Sequence, residues 1–225
     1  MKISYKGFMR ERIQKEVVTI SPDASFFEAR SLIHEKGIRH VPVVDKNNTV
    51  VGIVTDRDIR KAAPSDATAL SVHELNYLLG HLKVSSFMTP RRQLISITPD
   101  TLIEEAAQLM SEHKIGCLPV MEGEKLYGIF TETDALNHLV DVFGLKQKGT
   151  RLTIALEDKP GAMLRALEVF KKHEVNVISI VSPSYMVEAR RIAAIRIGTE
   201  EFEPIVKDLG EAGYSVLSVG KWPSV

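Results

Sequence analysis

Apolar and polar positions along this chain recur in two in-register copies. Residues 17–43 read VVTISPDASFFEARSLIHEKGIRHVPV, and residues 94–120 read LISITPDTLIEEAAQLMSEHKIGCLPV. The two align without a gap and pair Ile20 with Ile97, Asp23 with Asp100, Ala29 with Ala106, Ile38 with Ile115 and Pro42 with Pro119. One residue is lost in the turn that follows. The match resumes between residues 50–59 and 126–135, pairing Gly52 with Gly128, Thr55 with Thr131 and Asp58 with Asp134. Such a repeat fixes the unit of architecture before any single motif is weighed.

Each copy predicts the same local structure. A short apolar segment stops at Ser-Pro-Asp or Thr-Pro-Asp, and Asp23 or Asp100 is expected to cap the following helix. In that helix Phe26, Ala29 and Ile33 share one face, as do Ile103, Ala106, Ala107 and Met110. Two short β-branched runs follow, residues 41–44 and 50–54, joined by a turn over residues 45–48; in the second copy the turn is Glu122-Gly123-Glu124. A second helix is expected to begin near Thr55 or Thr131. A unit this small encloses little interior of its own. The copies are therefore expected to pack together with pseudo-twofold symmetry and to leave a groove between them. Between them, residues 62–65 break a helix, and Val72, Leu75, Leu78 and Leu79 resume a helical stripe.

Residues 144–150 (GLKQKGT) are polar and glycine-bearing and read as a linker. After them the pattern changes. Residues 151–156 alternate as a strand, Asp158-Lys159-Pro160-Gly161 reads as a turn, and Met163, Leu164, Leu167 and Phe170 fall at helical spacing. Strands are expected at 177–181, 192–197 and 216–219, with a helix over 202–209. The order βαββαβ is the ferredoxin-like arrangement. The fold class is thus α+β. The division reads 1–62 and 84–143 for the two repeats, 63–83 for a connecting helical segment, 144–150 for the linker and 151–225 for the last domain.

Composition narrows the function classes. Hydrophobic residues at 44% and charged residues at 26% describe a globular chain rather than a disordered or fibrous one. Lys plus Arg and Asp plus Glu both number 29, so no global charge points to nucleic acid or an anionic membrane. Arg91-Arg92 and Arg190-Arg191 are too sparse for a nucleic-acid stripe. Cys117 is the single cysteine, which excludes an internal disulfide and fits a reducing, cytoplasmic setting. Residues 1–14 mix charges without a long apolar run, so no signal peptide is read there, and no stretch approaches the ~20 apolar residues of a membrane span. HExxH, GxSxG, P-loop and GxGxxG motifs are absent from the sequence, and Cys117 among apolar neighbours reads as a core thiol. Neither a catalytic centre nor a metal site is expected.

The stretches Ile-Arg-His-Val-Pro-Val and Gly-Ile-Val-Thr-Asp-Arg-Asp have partners Ile-Gly-Cys-Leu-Pro-Val and Gly-Ile-Phe-Thr-Glu-Thr-Asp in the second copy. They resemble CBS domains, and the pair over residues 1–143 resembles a Bateman module. Residues 150–225 resemble an ACT domain, through Asp158-Lys159-Pro160-Gly161 and Val175-Asn176-Val177-Ile178. A CBS pair followed by an ACT domain is similar to the AcuB family of acetoin utilisation proteins. The Thr-Asp-Arg-Asp and Ala-Pro-Ser stretches at 55–58 and 63–65 add to that likeness.

The resemblance implies an allosteric sensor. An adenine nucleotide (AMP, ADP, ATP or S-adenosylmethionine) would sit between the repeats as a regulatory ligand rather than a cofactor. The ACT domain would mediate homodimerisation or answer an amino acid. In the CBS family the Asp of Thr-x-x-Asp meets the ribose, and backbone near Ile20 or Ile97 meets the adenine. In the ACT family the glycine turn and the neighbouring strand bind an amino acid at an interface between two such domains, which here maps to Asp158, Gly161, Asn176 and Ile178. Gly161 leaves room there, and the helix start offers free N–H groups to a carboxylate. The alternative is a tight turn with no ligand.

Residue chemistry supports an asymmetric pair of sites. Thr55 with Asp58, and Thr131 with Asp134, are spaced as capping boxes, and the same groups suit ribose hydroxyls and a phosphate. The first copy carries Arg39, His40, Arg57 and Arg60 where the second has Gly116, Cys117, Thr133 and Leu136. A phosphate needs cationic donors, and arginine offers a planar fork. The first copy is therefore expected to hold the primary nucleotide site. Otherwise these arginines would form surface pairs with Asp56 or Glu35. The rival readings are a ligand-free assembly protein and an enzyme acting on the bound nucleotide.

Overall fold

A computed structural model describes residues 9–63, 71–184 and 186–222. Pro64 and Ser65 of the expected helix break lie outside them. The chain forms two compact units, and the division falls between Ala135 and Leu136.

The first unit opens with α1 (Met9–Arg12), α2 (Phe26–Lys36), β1 (His40–Val44), β2 (Val50–Thr55) and α3 (Asp56–Ala62). It continues through α4 (Val72–His81), α5 (Val84–Phe87), β3 (Thr89–Pro90) and a single 3-10 turn at Arg91–Gln93. Then come α6 (Ile103–His113), β4 (Cys117–Glu122), β5 (Lys125–Thr131) and the start of α7 (Glu132–Val142).

The expected helical faces are the buried ones. Phe26, Ala29 and Ile33 of α2 join Val41, Val43 and Val54 in one core, while Ile103, Ala106 and Met110 of α6 join Leu118, Val120 and Phe130 in another. The caps differ from expectation. Ser25, not Asp23, caps α2, in a capping box closed by Glu28. Asp23 stands two residues too early and instead binds Lys83 at 3.0 Å. Asp100 likewise pairs with Arg10 at 2.8 Å, and α6 begins after Leu102 without a side-chain cap. The stripe expected on α4 is split. Leu75 and Leu79, one turn apart, are half-buried, whereas Val72 and Leu78 are exposed.

The repeats exchange segments. β1 and β2 form an antiparallel hairpin, and β3, from the start of the second repeat, pairs with β2 through Gly52 to Pro90 and Ile53 to Thr89. Reciprocally, Gln14, from the start of the first repeat, bridges Ile129 of β5, with N–H···O bonds of 3.1 and 3.0 Å. Thr49 and Lys125, the same position in the two hairpins, form an isolated antiparallel bridge. Ile53, Ile129 and Cys117 pack with Val17 and Leu94 in a small core drawn from both copies. These paired relations are those of a pseudo-twofold.

The second unit contains β6 (Gly149–Leu156), α8 (Ala162–Lys172), β7 (Val177–Val181), the short β8 (Met186–Val187), β9 (Arg190–Ile197), α9 (Glu203–Glu211) and β10 (Ser215–Trp222). Its antiparallel sheet runs β10-β6-β9-β7, with β8 on β9. Leu152, Ile154, Ile195 and Ile197 meet Phe170, Ile205 and Leu209 from the helices. The βαββαβ order is thus present, with β8 as an addition. Gly149 and Thr150 are buried strand residues, so the strand starts inside the stretch read as a linker.

Candidate functional site

Between the repeats of the first unit lies a cavity of about 380 Å³. The first repeat contributes Arg39, His40, Ile53, Thr55, Arg57 and Asp58 to its wall. The second contributes Leu94, Ile95, Lys114, Gly116, Cys117 and Glu132. Five of the nine residues expected to meet nucleotide are therefore together: Arg39, His40, Thr55, Arg57 and Asp58.

The strand-to-helix junction sets the polar floor. Thr55 ends β2 in extended conformation and caps α3. Its N–H and hydroxyl donate to Asp58 Oδ2 at 2.9 and 2.7 Å, and the Asp58 N–H returns to Thr55 Oγ1 at 3.3 Å. These bonds use one carboxylate oxygen, and Oδ1 takes no part in the cap. The capping role and a ligand role are therefore compatible. Arg60 pairs with Asp56 at 2.8 Å, as the surface-pair reading required, but that pair does not involve Arg39 or Arg57.

His40 opens β1 opposite Thr55 and is the pseudo-twofold mate of Cys117, which faces Thr131. A Cβ on Gly116 would meet His40 Nε2 at 3.0 Å and Glu132 Oε2 at 3.4 Å, so this glycine admits the imidazole and the carboxylate. Burial lowers the His40 pKa, as does Arg39, against the raising influence of Glu132 and Asp58. Burial, with Glu132 second, pushes the Cys117 thiol up to about 12. Cys117 is thus held as a protonated core thiol.

Four expected residues lie elsewhere. Ile20 and Ile97 do not line the cavity. Each closes a parallel bridge: Ile20 N–H donates to Pro42 O and its carbonyl accepts from Val44 N–H, while Ile97 does the same with Pro119 and Met121. The stretch Gln93-Leu94-Ile95, just ahead of Ile97, lines the wall instead. Thr131 and Asp134 form the matching cap on α7, with bonds of 2.8 and 2.6 Å to Oδ2. There Gln14 Nε2 donates to Asp134 Oδ1 at 3.3 Å, and Asp134 is only 9% exposed. Gly116 and Cys117, read as the second copy's counterparts, belong to the first copy's cavity. Lys114, Glu132 and Gln93 were missed. In the sequence Lys114 lies two residues before Gly116, Glu132 directly precedes Thr133, and Gln93 carries no such signal.

In the second unit the four expected ACT positions separate into two pairs. Asp158 and Gly161 follow the end of β6, where Leu156 faces Arg191, and Asp158 forms an ion pair with Arg191. Asn176 and Ile178 lie at the opposite end, where Val177 faces Ile197 and Thr150 faces Ile197 from the other side. Six strand steps at ~3.3 Å put the pairs roughly 20 Å apart. Ile178 also packs against Gly144 and Gly149. One chain does not bring these four residues together. Gly161 does hold the left-handed conformation, φ 79°, expected of the turn glycine.

Among the described residues, no helix is long and apolar enough to cross a membrane.

Comparison with known proteins agrees with this architecture. The CBS-domain profile matches residues 9–65 and 84–141, and the TTHA0829-like ACT domain profile matches residues 148–220. An acetoin utilization protein (AcuB) from Vibrio cholerae is similar in structure, at TM-score 0.50 and 28% identity, over 61% of this chain and 93% of that one. CBSX2 in complex with AMP is similar at TM-score 0.50 and 27% identity, over 61% of this chain and 99% of that one. An inosine-5'-monophosphate dehydrogenase from Methanocaldococcus jannaschii is 29% identical over 95% of this chain, which spans 42% of that enzyme's length. With two repeats exchanging segments and a ferredoxin-like unit following them in sequence, the chain belongs to the CBS-domain family, as a tandem CBS pair followed by an ACT domain.

Proposed function

We propose that this chain is a non-enzymatic, cytoplasmic regulatory sensor whose repeats bind an adenine nucleotide in the cavity beside Asp58. The observation that carries this is the convergence of Asp58, Thr55, Arg39 and Arg57 on one cavity between the repeats. The carboxylate suits two ribose hydroxyls, and the arginines suit a phosphate. A CBS relative of similar fold in complex with AMP supports the choice of base. The ligand draws on residues of both repeats, so its binding favours one packing of the pair. It can act as a signal to the extent that it distinguishes two such packings.

The second unit serves self-association in this reading. Leu217 and Val219, 49% and 38% exposed, lie on the edge strand β10, which has an open side available for pairing.

The test is a calorimetric and thermal-shift titration of the intact chain with AMP, ADP, ATP and S-adenosylmethionine. Saturable binding that raises the melting temperature, and that is lost in Asp58→Ala, supports the reading. Absence of binding by all four leaves the ligand-free assembly role.

A further inference from the structure

Lys114 ends α6 in the left-handed conformation, at φ 54° and ψ 45°. Its counterpart in the first repeat is Gly37, which ends α2 at φ 61° and ψ 28°. Glycine adopts this conformation without steric cost, whereas a lysine is strained there. A non-glycine residue held in this region at a cavity wall gives ground for a hypothesis of function.

Lys114 lines the same cavity as Arg39, Arg57 and Lys61, although it belongs to the other repeat. No ion pair among the described residues engages any of these four, while Arg60 is committed to Asp56. Two carboxylates, Asp58 and Glu132, remain on the wall, so it carries an excess of positive charge. The cations stand at three separate places: just ahead of β1, on the helix α3 and at the C-cap of α6. A single terminal phosphate presents three free oxygens. Four cations spread in this way match a longer anionic chain.

We propose that the cavity selects adenine nucleotides by phosphate number, and that Lys114 is the specificity-determining residue that reaches the outer phosphates from the second repeat. This rests on the nucleotide reading above and deepens it. Affinity rises from AMP to ADP and ATP. S-adenosylmethionine, whose sulfur is cationic, binds more weakly than any of them.

The test combines calorimetry and thermal unfolding of the intact chain with adenosine, AMP, ADP, ATP and S-adenosylmethionine. The wild type is compared with Lys114→Gly and Lys114→Gln. Lys114→Gly relieves the backbone and removes the charge, so its melting temperature is expected to hold or rise while ATP affinity falls about tenfold, the scale of one charge-assisted hydrogen bond. Lys114→Gln is expected to lose the same ATP affinity without the gain in stability. AMP affinity should change far less in both. Unchanged ATP affinity, equal losses for AMP and ATP, or tighter binding of S-adenosylmethionine than of ATP overturns the inference while leaving an adenine ligand in place. Absence of binding by every compound overturns both readings.

Discussion

Gln14 belongs to the start of the first repeat, yet its side-chain Nε2 donates to Asp134 Oδ1 in the second at 3.3 Å. Thr131 takes the other carboxylate oxygen, so Asp134 is satisfied on both sides and buried. Asp58, the same residue of the first repeat, has only one oxygen in its cap and lines the cavity. Asp134→Ala is therefore expected to cost ~1 kcal/mol, as a lost helix cap does. It should leave AMP affinity within about twofold, as expected for a site that does not touch the ligand. Denaturant unfolding and calorimetry on the same sample read the two effects.

The exchanged segments make two glycines indispensable. A Cβ on Gly52 would stand 2.5 Å from Thr89 O, and one on Gly128 would stand 2.7 Å from Gln14 O and closer still to the Ile13 side chain. Backbone carbonyls held in bridges cannot step aside easily. Gly52→Ala and Gly128→Ala are each expected to destabilise the first unit by about 1–3 kcal/mol, read by urea unfolding.

His40 makes the first unit sensitive to acid. Burial, then Arg39, lowers its pKa, so the folded chain keeps the imidazole neutral at a pH where the unfolded chain has already protonated it. Below about 6.5, the ordinary histidine value, the unfolded state binds the extra proton. Stability is therefore lost as pH falls from there through the depressed folded value. His40→Gln should remove that part of the slope between pH 7.5 and about 5.5, measured as the difference between two urea-unfolding series.

Cys117, the only thiol, reports on the interface between the repeats. With its pKa pushed up to about 12 and its side chain buried, it has almost no thiolate at neutral pH. Alkylation of the native chain at pH 8 is expected to be slow and to become complete in urea. Rapid native modification would show that this core opens.

Much of this was legible in the sequence. The repeat and its helical faces follow from spacing, while the grouping of Arg39, His40, Thr55, Arg57 and Asp58 rests on the resemblance to CBS domains and on the charge contrast between the copies. Lys114 and Glu132 were not legible, because the wall they form depends on how one repeat meets the other. Asp134 looked equivalent to Asp58 until the exchanged segment placed Gln14 on it. Asp158 and Ile178 looked like one site because the family motif names them together. Strand direction sets them at opposite ends of the sheet within one chain, so a shared site needs the two domains of the implied interface. Asp23 looked like a cap because Pro22-Asp23 stops the preceding segment, but Ser25, next to the first helical residue, has the shorter reach.

The most direct measurement is a crystal structure of the chain grown with AMP. The predicted result is nucleotide in the cavity between the repeats, its ribose hydroxyls donating to Asp58 and its phosphate on the side of Arg39 and Arg57. Nucleotide seated at Asp134 instead, or a cavity that stays empty while AMP binds elsewhere on the chain, would contradict it.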